Sequence, residues 1–152
     1  MTNIKYYMAT SALLASISAH SQFAAVPTPL LPAEQRVSEA DIAKEYKIDA
    51  ARHIYAAYPM RIHRGKLPPL MYAIMLTDIE VDPEGAVVNV VVTREPAAAK
   101  EVTPWVVALI RRAAPYPRPA KFKGNVVFKE IWLVDRSGNF QVDTLTEGQR
   151  DR

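Results

Sequence analysis

The turn Asp82-Pro83-Glu84-Gly85 does most to limit the folds open to this chain. It lies between the apolar stretch 70–81 and the β-branched stretch 87–93. Proline presets the φ angle of the second turn position, and glycine accepts the left-handed conformation just beyond it. The segment therefore predicts a β-hairpin, and a hairpin requires two antiparallel strands.

A second turn of the same Asp-x-x-Gly spacing predicts further strands. Asp135-Arg136-Ser137-Gly138 follows the stretch 126–134, which forms a third predicted strand, and precedes Phe140–Leu145, which can return as a fourth. We therefore expect an antiparallel sheet of three or four strands.

A first amphipathic helix is predicted between residues 38 and 58, ahead of the first strand. Ser38 is the predicted N-cap, with Asp41 three residues later in a weaker form of the capping box. Pro59 ends the helix near Tyr58. Its apolar stripe recurs every three or four residues, at Ile42, Tyr46, Ala50, Ile54 and Ala57.

A second helix is predicted from Thr103 to Ala114. Thr103 is its expected cap, Pro104 occupies the first helical position, where a missing N–H is harmless, and Pro115 ends it. With two helices able to cover one face of an antiparallel sheet, the chain predicts an α+β two-layer sandwich.

The first 21 residues are typical of a secretory signal peptide. Lys5 is their only charged residue, a short apolar run follows it, and Ala19-His20-Ser21 offers a cleavage site. The alternative is an uncleaved membrane anchor. We thus divide the chain into a signal peptide (1–21), a proline-containing leader (22–37), a folded domain (38–146) and a frayed polar tail (147–152).

Composition excludes several classes of site. The chain has no cysteine, which removes disulfides, thiolate zinc sites and cysteine nucleophiles. The formal net charge of +3 falls to +2 when Lys5 is removed with the signal peptide. So small a charge does not argue for a nucleic-acid partner.

No residue pattern predicts catalysis, a cofactor or a metal ion. Ser137 lies in a turn, where serine is an ordinary turn former. His53 and His63 are separated by ten residues and a proline, which does not suit a zinc site, and His53 is expected on the helix surface. We interpret the alternating acids as a solvated sheet face: Asp78, Glu80, Asp82 and Glu84. The same holds for a basic cluster: Arg111, Arg112, Arg118, Lys121, Lys123 and Lys129.

Three segments together resemble the TonB C-terminal domain family. They are Tyr58-Pro59 after the first helix, the hairpin Val81–Val90 with its Asp-x-x-Gly-x-Val-x-Asn-Val pattern, and the helix exit Ala108–Pro119. The resemblance covers residues 58–134. One departure is that Gly65 is followed by Lys66-Leu67-Pro68-Pro69 rather than leading straight into a strand.

The resemblance implies a non-enzymatic periplasmic protein that binds a protein partner, such as a segment of an outer-membrane receptor, by β-strand addition. The docking edge it implies is the third strand, at Val126, Val127, Phe128, Lys129, Glu130 and Ile131. That edge is covered if Phe140–Leu145 pairs with it. The alternative is an energy transducer anchored in the inner membrane and facing the periplasm, with membrane contact only if the N-terminus is uncleaved. The proline-rich connectors also permit a homodimer.

Overall fold

A computed structural model describes residues 22–151. The predicted signal peptide, its cleavage site and the alternative membrane anchor lie outside these residues. The elements, in chain order, are β1 (Val37–Ser38), α1 (Ala43–Ala57), β2 (Ala73–Val81), β3 (Val87–Arg94), α2 (Val102–Arg112), β4 (Arg118–Pro119), β5 (Val126–Val134), β6 (Phe140–Val142) and a 3₁₀ turn (Asp143–Leu145).

Four strands form one antiparallel sheet in the order β3-β2-β5-β6. β2 and β5 pair over nine residues without a register shift, from Ala73 opposite Val134 to Val81 opposite Val126. β1 and β4 form a separate parallel pair. The predicted α+β class and antiparallel sheet are confirmed, whereas the parallel pair was not predicted.

One face of the sheet forms the core with the two helices. β2 and β5 bury alternate residues, as expected when one face of a strand is covered. The Tyr46 ring of α1 lies 5.7 Å from the Phe128 ring of β5. The Trp105 ring of α2 lies 6.3 Å from the Phe140 ring of β6. Each contact joins a helix to the buried side of the sheet.

Both predicted hairpin turns are confirmed. Gly85 and Gly138 have φ angles of 86° and 80°, in the region that glycine occupies without a steric cost. Asp82 Oδ1 accepts hydrogen bonds from the backbone amides of Glu84 and Ala86. The turn aspartates therefore hold the backbone of each turn as well as beginning it.

The predicted start of α1 is wrong. The helix begins at Ala43 with Ile42 as N-cap and has no side-chain cap. Ser38 lies in β1 instead, where its hydroxyl donates to Asp49 Oδ2 at 2.6 Å. The spacing of Ser38 and Asp41 predicts a helix N-cap. In the structure the Ser38 hydroxyl bonds the distant Asp49 instead of the start of the helix. The predicted end near Tyr58 is confirmed.

α2 also differs at its start. It begins at Val102, one residue before the predicted cap, and Thr103 Oγ1 is buried without a hydrogen-bond partner among the described residues. The apolar stripe that helical spacing predicts for this segment is fully buried: Val102, Val106, Leu109, Ile110 and Ala113. The Ala114–Pro115 peptide bond after the helix is cis.

The leader packs on the domain from Gln22 onward. Phe23 is 8% exposed, stacks on Tyr72 at 5.8 Å and meets the Trp105 ring edge-on at 5.2 Å. Trp105 Nε1 donates to the Ala25 carbonyl, and the Leu30 amide donates to the Ala57 carbonyl. Residues 22–37 are therefore part of the folded unit.

The predicted polar tail is bonded to the domain between residues 148 and 150. Leu67 forms a parallel bridge with Gln149. The Leu67 amide donates to Gly148, and the Arg150 amide donates back to Leu67. The polar composition of this segment does not predict the bridge, because backbone groups of Leu67, Gly148 and Arg150 form it.

Between residues 22 and 151, no helix is long and apolar enough to cross a membrane.

Candidate functional site

The sheet has an unpaired stretch on β5, the strand that was predicted as the docking edge. β6 pairs with β5 only at Trp132, Leu133 and Val134. Beside Val126–Ile131 no strand lies on that side within the described part of the chain. The predicted covering by Phe140–Leu145 is thus partial, because β6 ends at Val142 and the chain turns into the 3₁₀ turn.

The backbone groups that face this unpaired side belong to the odd-numbered residues of β5. The Asp135 amide bonds Asn139 across the hairpin turn, so with the two-residue period of a strand Leu133, Ile131, Lys129 and Val127 also face the β6 side. In agreement, the Glu130 carbonyl faces β2, where it accepts from Thr77 Oγ1 at 3.4 Å.

Val127 and Lys129 therefore present free backbone groups. Neither residue takes part in any backbone bond outside the β2–β5 ladder within residues 22–151. Their side chains point to the outer face of the sheet, and Val127 is 53% exposed. We call the backbone of Val126–Lys129 the open edge.

Glu130 ends the open edge. Its side chain is fully buried, and its Oε1 accepts from the Ile131 amide at 3.0 Å, an amide that would otherwise face the edge. Its Oε2 accepts from Thr144 Oγ1 at 2.7 Å. Lys47 Nζ of α1 lies 3.6 Å from Oε1. A buried acidic side chain and the 3₁₀ turn together occupy the edge at this point.

Burial raises the pKa of the Glu130 carboxyl, and its hydrogen bonds and the Lys47 charge offset only part of that effect. The predicted docking set thus divides in two. Val126–Lys129 are open, whereas Glu130 and Ile131 are occupied by contacts within the chain.

The other edge of the sheet, β3, is less regular. Its pairing with β2 shifts register between Leu76 and Thr77 and again between Glu80 and Val81, with the extra residues at Thr93 and Val88 of β3. Bulges of this kind twist an edge strand away from pairing with another chain. Only the stretch 89–92 between them pairs regularly.

At the second hairpin turn Asp135 lies between Ser137 and His63 and bonds both side chains. Ser137 Oγ donates to Asp135 Oδ1 at 2.6 Å, and His63 Nδ1 lies 2.8 Å from Asp135 Oδ2. In a serine triad the histidine accepts the proton of the serine hydroxyl, whereas here the Ser137 hydroxyl donates to Asp135 and His63 bonds the other oxygen of the same carboxylate. The trio instead connects the loop around His63 to the turn.

Asp135 has a lowered pKa. Burial acts to raise it, but the hydrogen bonds from Ser137, His63 and Asn139 outweigh burial and favour the charged form. The charged form that these bonds favour stabilises the turn as a hydrogen-bond acceptor.

The prediction that His53 lies on the helix surface is wrong. It is 4% exposed, and its Nε2 lies 2.7 Å from the Ala113 carbonyl at the end of α2. Burial lowers its pKa, and the bond to Ala113 offsets this only in part. His53 therefore belongs to the core. Within residues 22–151 no group of three or more histidine or acidic side chains is placed to hold a metal ion.

The predicted solvated faces are found on the surface. All six members of the basic cluster are exposed, and Asp78 and Glu80 lie partly exposed on the outer sheet face. Lys129 Nζ lies 3.5 Å from Asp78 Oδ1. Nothing in the sequence pattern distinguishes Glu130 from these acids, because Lys129-Glu130 resembles an ordinary exposed charged pair.

Comparison of the chain with models of known protein families, with curated proteins and with solved structures finds no match. The resemblance to the TonB C-terminal domain family rests on the motifs of the chain itself.

Proposed function

We propose that this protein is a non-enzymatic, periplasmic, TonB C-terminal-like binding module that takes up an extended segment of a protein partner by strand addition at β5. The observation that carries the proposal is the open edge, where Val127 and Lys129 direct unpaired backbone groups away from β2. Strand addition obtains its affinity from such groups.

The regularity of β5 supports this edge over β3. β5 keeps one register with β2 over nine residues, so a strand added to its far side continues a regular ladder. β3 carries a register shift near each end. The helix-strand-strand-helix-strand order that the family resemblance implies also agrees with α1, β2, β3, α2 and β5.

The alternative function, an inner-membrane energy transducer, has less support. A transducer needs a free spacer between its anchor and its binding domain. Residues 22–37 do not supply one, because Phe23 and Leu30 attach the leader to the domain.

A proline scan of the two edges tests the proposal. Phe128 is a poor position for it, since the residue is 3% exposed and its amide faces β2. Lys129→Pro removes an amide that faces the open edge and breaks no backbone hydrogen bond among the described residues, although it also removes the ion pair of Lys129 with Asp78. Val90→Pro is the matched control, because by the same alternation its amide faces outward on β3.

The assay is capture of partner protein from periplasmic and outer-membrane fractions by the purified chain. We expect Lys129→Pro to bind the partner about fivefold more weakly and Val90→Pro to recover it as the parent chain does, since the first variant removes one of four main-chain bonds of about 1 kcal/mol each. Equal recovery by the parent chain and Lys129→Pro would contradict docking at β5.

A further inference from the structure

The closed end of the open edge is built from buried, mutually bonded groups. Glu130 Oε1 accepts from Ile131, and Glu130 Oε2 accepts from Thr144 at the 3₁₀ turn. Tyr55 of α1 donates from its hydroxyl toward Leu145 and accepts from the Val142 amide. An incoming strand that continued past Lys129 would have to displace all of these contacts.

β6 itself is not a displaceable cover. All three of its residues are buried, and Phe140 contacts the rings of Tyr58, Trp105 and Trp132 in the core. Removing β6 from β5 would expose the centre of the molecule. The edge available to a partner therefore ends permanently at Glu130.

The open edge also carries one charged side chain on its outer face. Lys129 Nζ lies 3.5 Å from Asp78 Oδ1, but 59% of the Lys129 side chain stays exposed and Asp78 lies on the β2 side, away from the position of an added strand. An acidic side chain on an added strand would form a cross-strand pair with Lys129. Val127, the other outward residue, suits a β-branched neighbour.

On the basis of the proposed function, we infer that Glu130 is a specificity-determining residue that limits the partner to a short strand. The partner is an extended peptide segment that pairs with the four residues of the open edge, about 13 Å of chain. It places an acidic side chain beside Lys129 and leaves the sheet opposite Glu130.

Amide hydrogen exchange of the free protein tests the closing role of Glu130. We expect the Val127 and Lys129 amides to exchange rapidly and the Ile131 amide to be protected. Glu130→Ala should lower Ile131 protection at least tenfold, whereas Glu130→Gln, which keeps an acceptor oxygen, should retain it. If Glu130→Ala does not fold, Thr144→Val, which removes the hydroxyl bonded to Oε2, should lower the same protection. Slow exchange at Val127 and Lys129, or Ile131 protection unchanged in the folded variants, would overturn the inference.

Blocked synthetic peptides test the length limit and the charge. One carries a four-residue strand, Val-Glu-Val-Thr, one carries it twice, and one has lysine in place of glutamate. Binding is followed by amide chemical shifts. We expect the short and long peptides to bind the parent chain within threefold of each other and the lysine peptide to bind more weakly. A long peptide that binds tenfold more tightly and newly protects Ile131 would overturn the inference. Failure of every peptide to shift β5 would contradict strand addition itself, and the exchange result would still decide whether Glu130 closes the edge.

Discussion

Truncation of Phe23 should destabilise the whole domain, although the residue lies in a leader that sequence alone describes as an extended connector. Phe23 is 8% exposed and contacts the rings of Tyr72 and Trp105. Burying a phenylalanine side chain contributes about 1.5–3 kcal/mol, and aromatic contacts add about 0.5–1.5 kcal/mol. We therefore expect Phe23→Ala to lower the free energy of unfolding by about 3 kcal/mol, or about 10 °C in Tm for a domain of this size.

Urea unfolding followed by far-ultraviolet circular dichroism measures this change. Tryptophan fluorescence is less suitable because Trp105 contacts the altered residue. Leu30→Ala is the matched control, since the Leu30 side chain is 64% exposed and only its backbone bonds the domain. That control should change stability by less than about 0.5 kcal/mol. If both variants unfold at the same urea concentration as the parent chain, the leader is a free spacer and our reasoning about it is refuted.

Three further predictions concern the fold. Gly85→Ala should lower the free energy of unfolding by about 2 kcal/mol or more, because φ is +86° and a Cβ would meet the Tyr116 carbonyl. Gly124→Ala is the control and should leave stability unchanged, because nothing lies within 4 Å of its Cβ position. Equal stability of the two variants in urea would contradict this reasoning. Burial lowers the pKa of His53, so its contribution to stability is present above its unfolded pKa of about 6.5 and is lost as pH falls through the lowered folded value. His53→Gln should therefore lose less unfolding free energy than the parent chain between pH 7.5 and pH 5, and parallel pH profiles would refute this. Tyr58→Phe removes a hydroxyl that donates to the Leu109 carbonyl at 2.8 Å and should cost about 1 kcal/mol in thermal or urea unfolding; a change below about 0.3 kcal/mol would show that the bond is not stabilising.

The strands and turns could be predicted because their signals are local. The β-branched run of β3 and the two Asp-x-x-Gly turns depend on residues within a few positions of one another, and the predicted range of β5, Val126–Val134, matches the structure. The buried stripe of α2 follows from its helical spacing in the same way.

The features that could not be predicted all depend on distant partners. Ser38 has the sequence context of a cap but bonds Asp49, and His53 has polar neighbours in sequence but packs on Tyr116 at 5.0 Å. The division of the docking edge at Glu130 depends on Thr144 and Lys47, which lie 14 and 83 positions away in sequence. No periodicity along β5 distinguishes Glu130 from an exposed acid.

The attachment of Gln22 and Gln149 near the second hairpin turn, close to both limits of the described residues, has a mechanical consequence. Gln22 donates to the Arg136 carbonyl, and Gln149 bonds Pro68; Pro68 and Arg136 line the same surface cavity of about 370 Å³. The open edge lies toward the opposite end of β5, five to eight residues from Val134 and so about 17–26 Å away along the strand. Tension between these attachment points and a strand docked there, as we propose, would run parallel to β5, so the main-chain bonds at the interface would share the load in shear and would not open one after another.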